Sequence, residues 1–169
     1  MSKTDGMVQY HFRDAIGGFF EFPTENARAI LPPELQPIEP HHGSSVLSVM
    51  AFDFHDSPVG DYGELILSIL VSPRVEPGVP MPRSAFYPFR LATTTRESRE
   101  HAIERWHLPH YMQDISLTWE RGGITIHSQA MTGLLEDWDV DFTPFRELWM
   151  KNGLQTFHPL QTLASYARR

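Results

Sequence analysis

Cysteine is absent from the 169 residues. Its absence excludes disulfides, thiolate nucleophiles and cysteine-bearing zinc or iron–sulfur sites, and it fits a reducing compartment. Lysine is nearly absent too, present only as Lys3 and Lys151. With 14 Lys plus Arg against 21 Asp plus Glu the formal charge is −7, and no basic run is interleaved with aromatics. The electrostatic footprint of a nucleic-acid binder is therefore missing. No stretch approaches the roughly 18 apolar residues of a membrane span, and the start "MSKTDGMVQYHF" lacks the basic end and apolar run of a signal peptide. No GxGxxG, GxxxxGK(S/T), HExxH or GxSxG pattern occurs, which removes the usual nucleotide, zincin and hydrolase arguments. What is left is the expectation of a soluble, cytoplasmic protein. Its partner is a small molecule or another copy of itself, with no nucleic acid, membrane or cofactor involved.

Proline is abundant, and its 14 copies are spread along the chain. They punctuate turns rather than separate domains, and residues 1–169 read as a single domain able to bury its own core. Residues 17–22, "GGFFEF", form a short strand candidate. Thr24 can cap a short helix that stops before Pro32. The apolar runs 45–54 and 63–73 read as strands from their length and β-branched content. So does "AFYPFRLAT", where Pro88 marks an edge or a bulge. In "TTTRESREHAIERW" (93–106), Thr94 followed by Glu97 is a capping-box pattern, and Ala102, Ile103 and Trp106 make one apolar side. Pro109 ends that helix. "ISLTWE" and "ITIHSQAM" alternate on either side of Arg121–Gly122–Gly123 and predict a β-hairpin. In "TPFRELWMKNG", Thr143 as cap, Pro144 at the first turn and Gly153 past the end predict a helix. The sum is a mainly β, α+β fold with antiparallel connections, a curved sheet or barrel enclosing a pocket.

Nine histidines invite a metal reading, which the pattern does not support. His41 and His42 are adjacent in a loop and diverge, Pro109 separates His107 from His110, and His127 alternates with Ile126 as a surface strand residue. His101 reads as a surface helix residue and His55 as a turn residue. Two features carry more chemistry. "DYGEL" places Asp61, Tyr62 and Glu64 at the entrance of an apolar strand, where a carboxylate is either buried with a raised pKa or a solvated strand end. "ERWHLPHY" delivers Arg105, His107, His110 and Tyr111 in quick succession. That set offers a proton-transfer group, a hydrogen-bond donor and an anion anchor, or else only a polar turn.

Taken in order, "FFEFPTENARAILPPELQPIE", "SSVLSVMAFDF", "GDYGELILSILV" and "AFYPFRLATTTRESREHAIERWHLPHYMQDISLTW" resemble the acetoacetate decarboxylase family over about residues 17 to 131. The resemblance implies an antiparallel β-barrel or cone with a few short flanking helices, an interior pocket for a small keto acid, and a homo-oligomer. In that family a lysine after the turn proline forms a Schiff base with the substrate ketone. Here His110 and Tyr111 follow Pro109, so the lysine pair is lost. The family's glutamate corresponds to Glu64. Its first-strand arginine falls near Glu21, leaving Arg90 or Arg105 to serve instead.

Imidazole cannot make the imine that acts as electron sink, so imine-based decarboxylation is not expected. The resemblance with these changes implies acid/base lyase-type chemistry on a keto acid or related carbonyl compound. His110 transfers the proton, Tyr111 supports the oxyanion and Glu64 orients or shares the proton. Arg105, Arg90, Tyr62, Tyr87 and His107 contact substrate. The alternative is a small-molecule binding or regulatory protein that has lost the decarboxylase chemistry.

Overall fold

An alternation of apolar and polar positions along "VQYHFRDAIGGFFEFP" makes one long strand, β1 (Val8–Pro23), whose odd and even residues face opposite sides of a sheet. A computed structural model describes residues 8–72, 84–106, 108, 111–113, 115–120, 123–128 and 146–157. After β1 come α1 (Thr24–Ile30), β2 (Gln36–Pro37), β3 (Ser44–His55), β4 (Tyr62–Ser72) and β5 (Ala85–Thr93). Then follow α2 (Arg96–Trp106), β6 (Tyr111–Gln113), β7 (Ile115–Glu120), β8 (Gly123–Ser128) and β9 (Arg146–Phe157). The main sheet has the order β6-β5-β4-β3-β1-β9, with β2 beside β4, and β7 and β8 form a separate hairpin. All pairings in the main sheet are antiparallel except β5 with β6. The two ends of the sheet, β6 and β9, do not pair with each other among the described residues. The fold is thus mainly antiparallel β with two short helices, as the sequence implies.

Each face of the sheet has its own core. On one face Phe22, Leu47, Leu65, Leu67 and Ile69 are sealed beneath α1 and the hairpin. Side chains buried to this degree each contribute about 1.5–3 kcal/mol. On the other, Tyr10, Phe12, Phe52, Phe54 and Tyr62 pack beneath α2 through Ala102 and Trp106. The ring of Phe52 stacks on Phe54, and Phe54 on Tyr62. The alternation that assigns these faces slips once in β1, between Phe12 and Asp14, where the bulged Arg13 reaches Asp53 and Asp61. The Pro88 irregularity is real as well: the β4–β5 register shifts between Leu67 and Ser68, opposite Arg90 and Pro88.

Three local expectations are corrected. Thr24 does not cap α1; its hydroxyl bonds Ser45, and Pro23 stands at the cap position. Thr95, not Thr94, caps α2, accepting the Ser98 N–H at 3.3 Å, because the Thr94 hydroxyl already accepts from the Gly63 N–H. The segment expected to be a late helix is β9 from Arg146 onward, zipped along the edge of β1 from Phe19 to Val8. Thr143 and Pro144 lie outside the described residues. Gly153 serves the sheet rather than a helix end. A Cβ there would fall 1.9 Å from the Phe12 ring, which lies over the glycine. Tertiary pairing has overridden local propensity.

Candidate functional site

Period two along β4 puts Tyr62, Glu64, Ile66 and Ser68 on the α2 side of the sheet, and Leu65 and Leu67 on the other. Between this row and α2 lies a cavity of about 210 Å³. Its floor is Glu64, Ile66 and Ser68 with Leu91 of β5, Phe54 of β3 and Tyr10 of β1. Ser98, His101, Ala102 and Trp106, at the three- and four-residue spacings of one helix face, supply the other wall, and Leu108 follows just beyond the helix. Phe86, 45% exposed, and Pro88 complete the lining. A dry cavity of about 150 Å³ holds benzene, and drug-sized ligands occupy ~300–1,000 Å³. This volume suits a compact molecule, of roughly six to ten non-hydrogen atoms by that comparison.

The lining is largely apolar, and its polar groups are specific. Glu64 is 9% exposed, paired in register with Phe52 and Thr93. Tyr10, 3% exposed, joins sheet to helix: Trp106 Nε1 donates to its hydroxyl oxygen at 2.9 Å, and the same oxygen lies 2.8 Å from His101 Nε2. Burial raises the Tyr10 phenol above its ordinary value and outweighs the opposing Trp106 bond and Arg105 charge, while Glu64 pushes in the same direction as burial. Burial also lowers the His101 imidazole, helped by Arg105 and opposed by Glu104. Both groups are consequently neutral near pH 7, a phenol beside an uncharged imidazole.

The structure brings Tyr62 and Glu64 of the expected set to the cavity. Arg105 is exposed, its guanidinium 5.3 Å over the Trp106 ring, and it acts on the cavity through its charge on Tyr10 and His101. Arg90 donates to the Phe89 carbonyl, and Tyr87 packs against the core on the other face of the sheet, with its phenol raised by burial and by Glu34. His107 and His110 lie outside the described residues. So does the side chain of Tyr111, whose backbone pairs with Leu91, a residue of the cavity wall. Asp61 is an exposed ion-pair partner of Arg13. Glu21, where the family's arginine falls, is exposed.

Sequence reasoning missed Tyr10, His101 and Trp106 as a group. His101 is not a surface residue, because α2 buries Ser98, Ala102 and Trp106 and leaves Ile103 40% exposed, which turns His101 inward. The signal was the stripe 98–101–102–106 rather than the apolar set 102–103–106. Lys151, the one lysine among the described residues, is exposed and pairs with Asp14 at 3.3 Å, and no lysine is among the described residues lining the cavity. Among the described residues no three histidine or carboxylate groups converge as a metal site requires, and no helix is long and apolar enough to cross a membrane.

No family model and no curated protein matches the chain. Solved structures do. An acetoacetate decarboxylase aligns at 17% identity over 73% of this chain and 47% of its own, with a TM-score of 0.56. The acetoacetate decarboxylase of Legionella pneumophila aligns at 15% identity over 96% of this chain and 79% of its own, with a TM-score of 0.55. The enduracididine biosynthesis enzyme MppR complexed with pyruvate aligns at 12% identity over 76% and 55%, with a TM-score of 0.49. The chain spans about half the length of the first of these. Sheet order, helix placement and the glutamate-bearing strand are thus found together with a structural likeness that extends over most of the described residues, and the chain carries the acetoacetate decarboxylase-like fold.

Proposed function

We propose that the cavity between the sheet and α2 binds a small carbonyl compound, a keto acid or a related ketone, and performs acid/base lyase-type chemistry on it without an imine. The observation that carries this reading is Glu64, a carboxylate 9% exposed that lines an otherwise mainly apolar cavity. Its carboxylate gives the cavity a group able to take a proton from a carbon acid. Among the described residues no lysine nucleophile is at hand, since Lys151 is engaged on the outer surface with Asp14. In this reading His110 transfers the proton, Tyr111 supports the oxyanion and Arg105 or Arg90 holds a substrate carboxylate. Two described neighbours support those roles: Leu108 lines the cavity, and the Tyr111 backbone pairs with Leu91. Arg105 supports its role by the charge it projects onto Tyr10 and His101. The active form is a homo-oligomer, which light scattering of the purified chain checks.

The test is incubation in deuterated buffer with a panel of small ketones and keto acids, acetoacetate included, followed by proton spectra. Wild-type protein exchanges or transforms at least one member, and Glu64→Gln and His110→Ala lower that rate by about 100-fold, the scale of a lost general base. Rates in Glu64→Gln equal to wild type would refute the assignment. Line broadening with no chemical change would instead establish a binding protein.

A further inference from the structure

We infer that the cavity takes an unbranched aliphatic carbonyl compound, its carbonyl at the buried Glu64 end and its alkyl tail leading past Ile66 and Leu91 to Phe86. This rests on the reading that the site binds a carbonyl compound. It narrows the ligand to straight-chain methyl ketones or β-keto acids of up to about ten non-hydrogen atoms.

Shape carries the first half of the argument. The lining follows β4 from Tyr62 to Ser68 and ends at Phe86, which pairs in register with Leu70. From Tyr62 to Leu70 is eight residues of strand, about 26 Å at ~3.3 Å per residue. A sphere with the cavity's 210 Å³ would be only about 7 Å across, too small to meet side chains spaced along such a length of strand. The space is a channel running along β4 rather than a round chamber. At its far end the curl of the sheet closes over it. Phe19 and Phe86 belong to β1 and β5, three places apart in the sheet or about 14 Å at ~4.8 Å per strand. Their ring centroids nevertheless lie 5.9 Å apart.

Polarity carries the second half. Helix α2 is pinned over the Glu64 end, where Ser98 bonds Thr93, the in-register neighbour of Glu64, and where His101 and Trp106 reach Tyr10. Further along β4 the channel meets Ile66 opposite Leu91, then Ser68 opposite Pro88, and it opens at Phe86, which is 45% exposed. Ser68 alone interrupts that apolar stretch among the described lining residues. A polar pocket that leads into an apolar channel matches a ligand with a polar head and an apolar tail. A ring or a branched chain fills the first part and leaves the second without partner atoms. An unbranched chain advances about 1.25 Å per bond, from C–C bonds of ~1.5 Å at tetrahedral angles, so ten atoms reach about 11 Å. That length brings a tail from Glu64 close to the level of Ser68, about 13 Å along the strand, with Phe86 just beyond.

The experiment titrates the full chain with methyl ketones of three to eleven carbons, and with cyclohexanone, reading binding by calorimetry and α-proton exchange by proton spectra. In wild type the dissociation constant falls about 4-fold for each added CH₂, since burying one is worth ~0.8 kcal/mol and 1.4 kcal/mol is a factor of ten. The gain levels off near ten non-hydrogen atoms. Ile66→Trp blocks the channel midway and stops the gain after the shortest members. Phe86→Ala, at an exposed position, weakens the longest members most; if Ile66→Trp does not fold, this profile decides alone. Affinity independent of length, or cyclohexanone bound more tightly than the six-carbon methyl ketone, would overturn the inference, while Glu64-dependent exchange would leave the carbonyl reading standing. A gain that continues unchanged in both variants would mean adhesion to the outer surface and overturn it as well. Failure of every ketone to bind or exchange overturns both.

Discussion

Replacing Tyr10 by phenylalanine deletes a single oxygen that ties the first strand to α2, and the cost can be worked from its partners. Trp106 is buried, so removing the hydroxyl strips its indole N–H of the acceptor 2.9 Å away. Stranding a buried neutral donor costs about 1–3 kcal/mol. His101 is only half-buried and turns to water at little cost. With a urea slope of about 2 kcal/mol per molar, the middle of the range for small proteins, the midpoint falls by roughly 0.5–1.5 M. A double-mutant cycle isolates the bond. Trp106→Phe removes the donor and some bulk, but in the double variant nothing is left stranded, so the pair costs about 1 kcal/mol less than the sum of the singles. Urea titrations followed by far-ultraviolet circular dichroism measure all four proteins. Additivity within ~0.3–0.5 kcal/mol would show that the hydrogen bond does not couple strand to helix, and the reasoning would fall.

Lowered by burial, the His101 imidazole stays neutral while the unfolded chain begins to bind a proton near pH ~6.5, so wild-type stability is lost as pH falls below that value toward the folded pKa. His101→Gln removes that part of the slope, and equal losses in urea midpoint between pH 7.5 and pH 5.5 for the two proteins would contradict the burial argument. Gly153→Ala drives a methyl group into the Phe12 ring and destabilises by about 1–3 kcal/mol through overpacking, read as a fall in thermal midpoint. Arg13→Ala, by contrast, costs at most ~1 kcal/mol despite two ion pairs, because the guanidinium is exposed and screened, and its effect fades in high salt.

The parts of this molecule that could be read from the sequence are those in which local chemistry and tertiary structure agree. The apolar runs of β3 and β4 are strands because their β-branched residues fill both faces of a central sheet. The hairpin was legible because "ISLTWE" and "ITIHSQAM" alternate on either side of Arg121–Gly122–Gly123, and the structure pairs Glu120 with Gly123 and Leu117 with Ile126. Errors arose where distant chain competed for a group. Thr94 has the side chain of a cap, but the Gly63 N–H of β4, thirty-one residues away, takes its hydroxyl. Gly153 ends no helix because the Phe12 ring needs its bare Cα. Glu64 could be found in the candidate site since its own strand buries it. Tyr10 and His101 could not be linked, for nothing local in "VQYHF" or "REHAI" reports a partner on the other element.

That separation has a consequence for how the protein acquires its site. Tyr10 and His101 meet across 91 residues of chain, and contacts of such span form only after the loop-closure entropy of the intervening segment has been overcome. Pairing of β3 with β4 places Glu64 in a strand but gives it no wall opposite until α2 lies across the sheet against Tyr10. The candidate cavity is therefore complete only once that long-range contact has formed. A ligand that fills the cavity should accelerate refolding little and chiefly slow unfolding, by holding Tyr10 and α2 together.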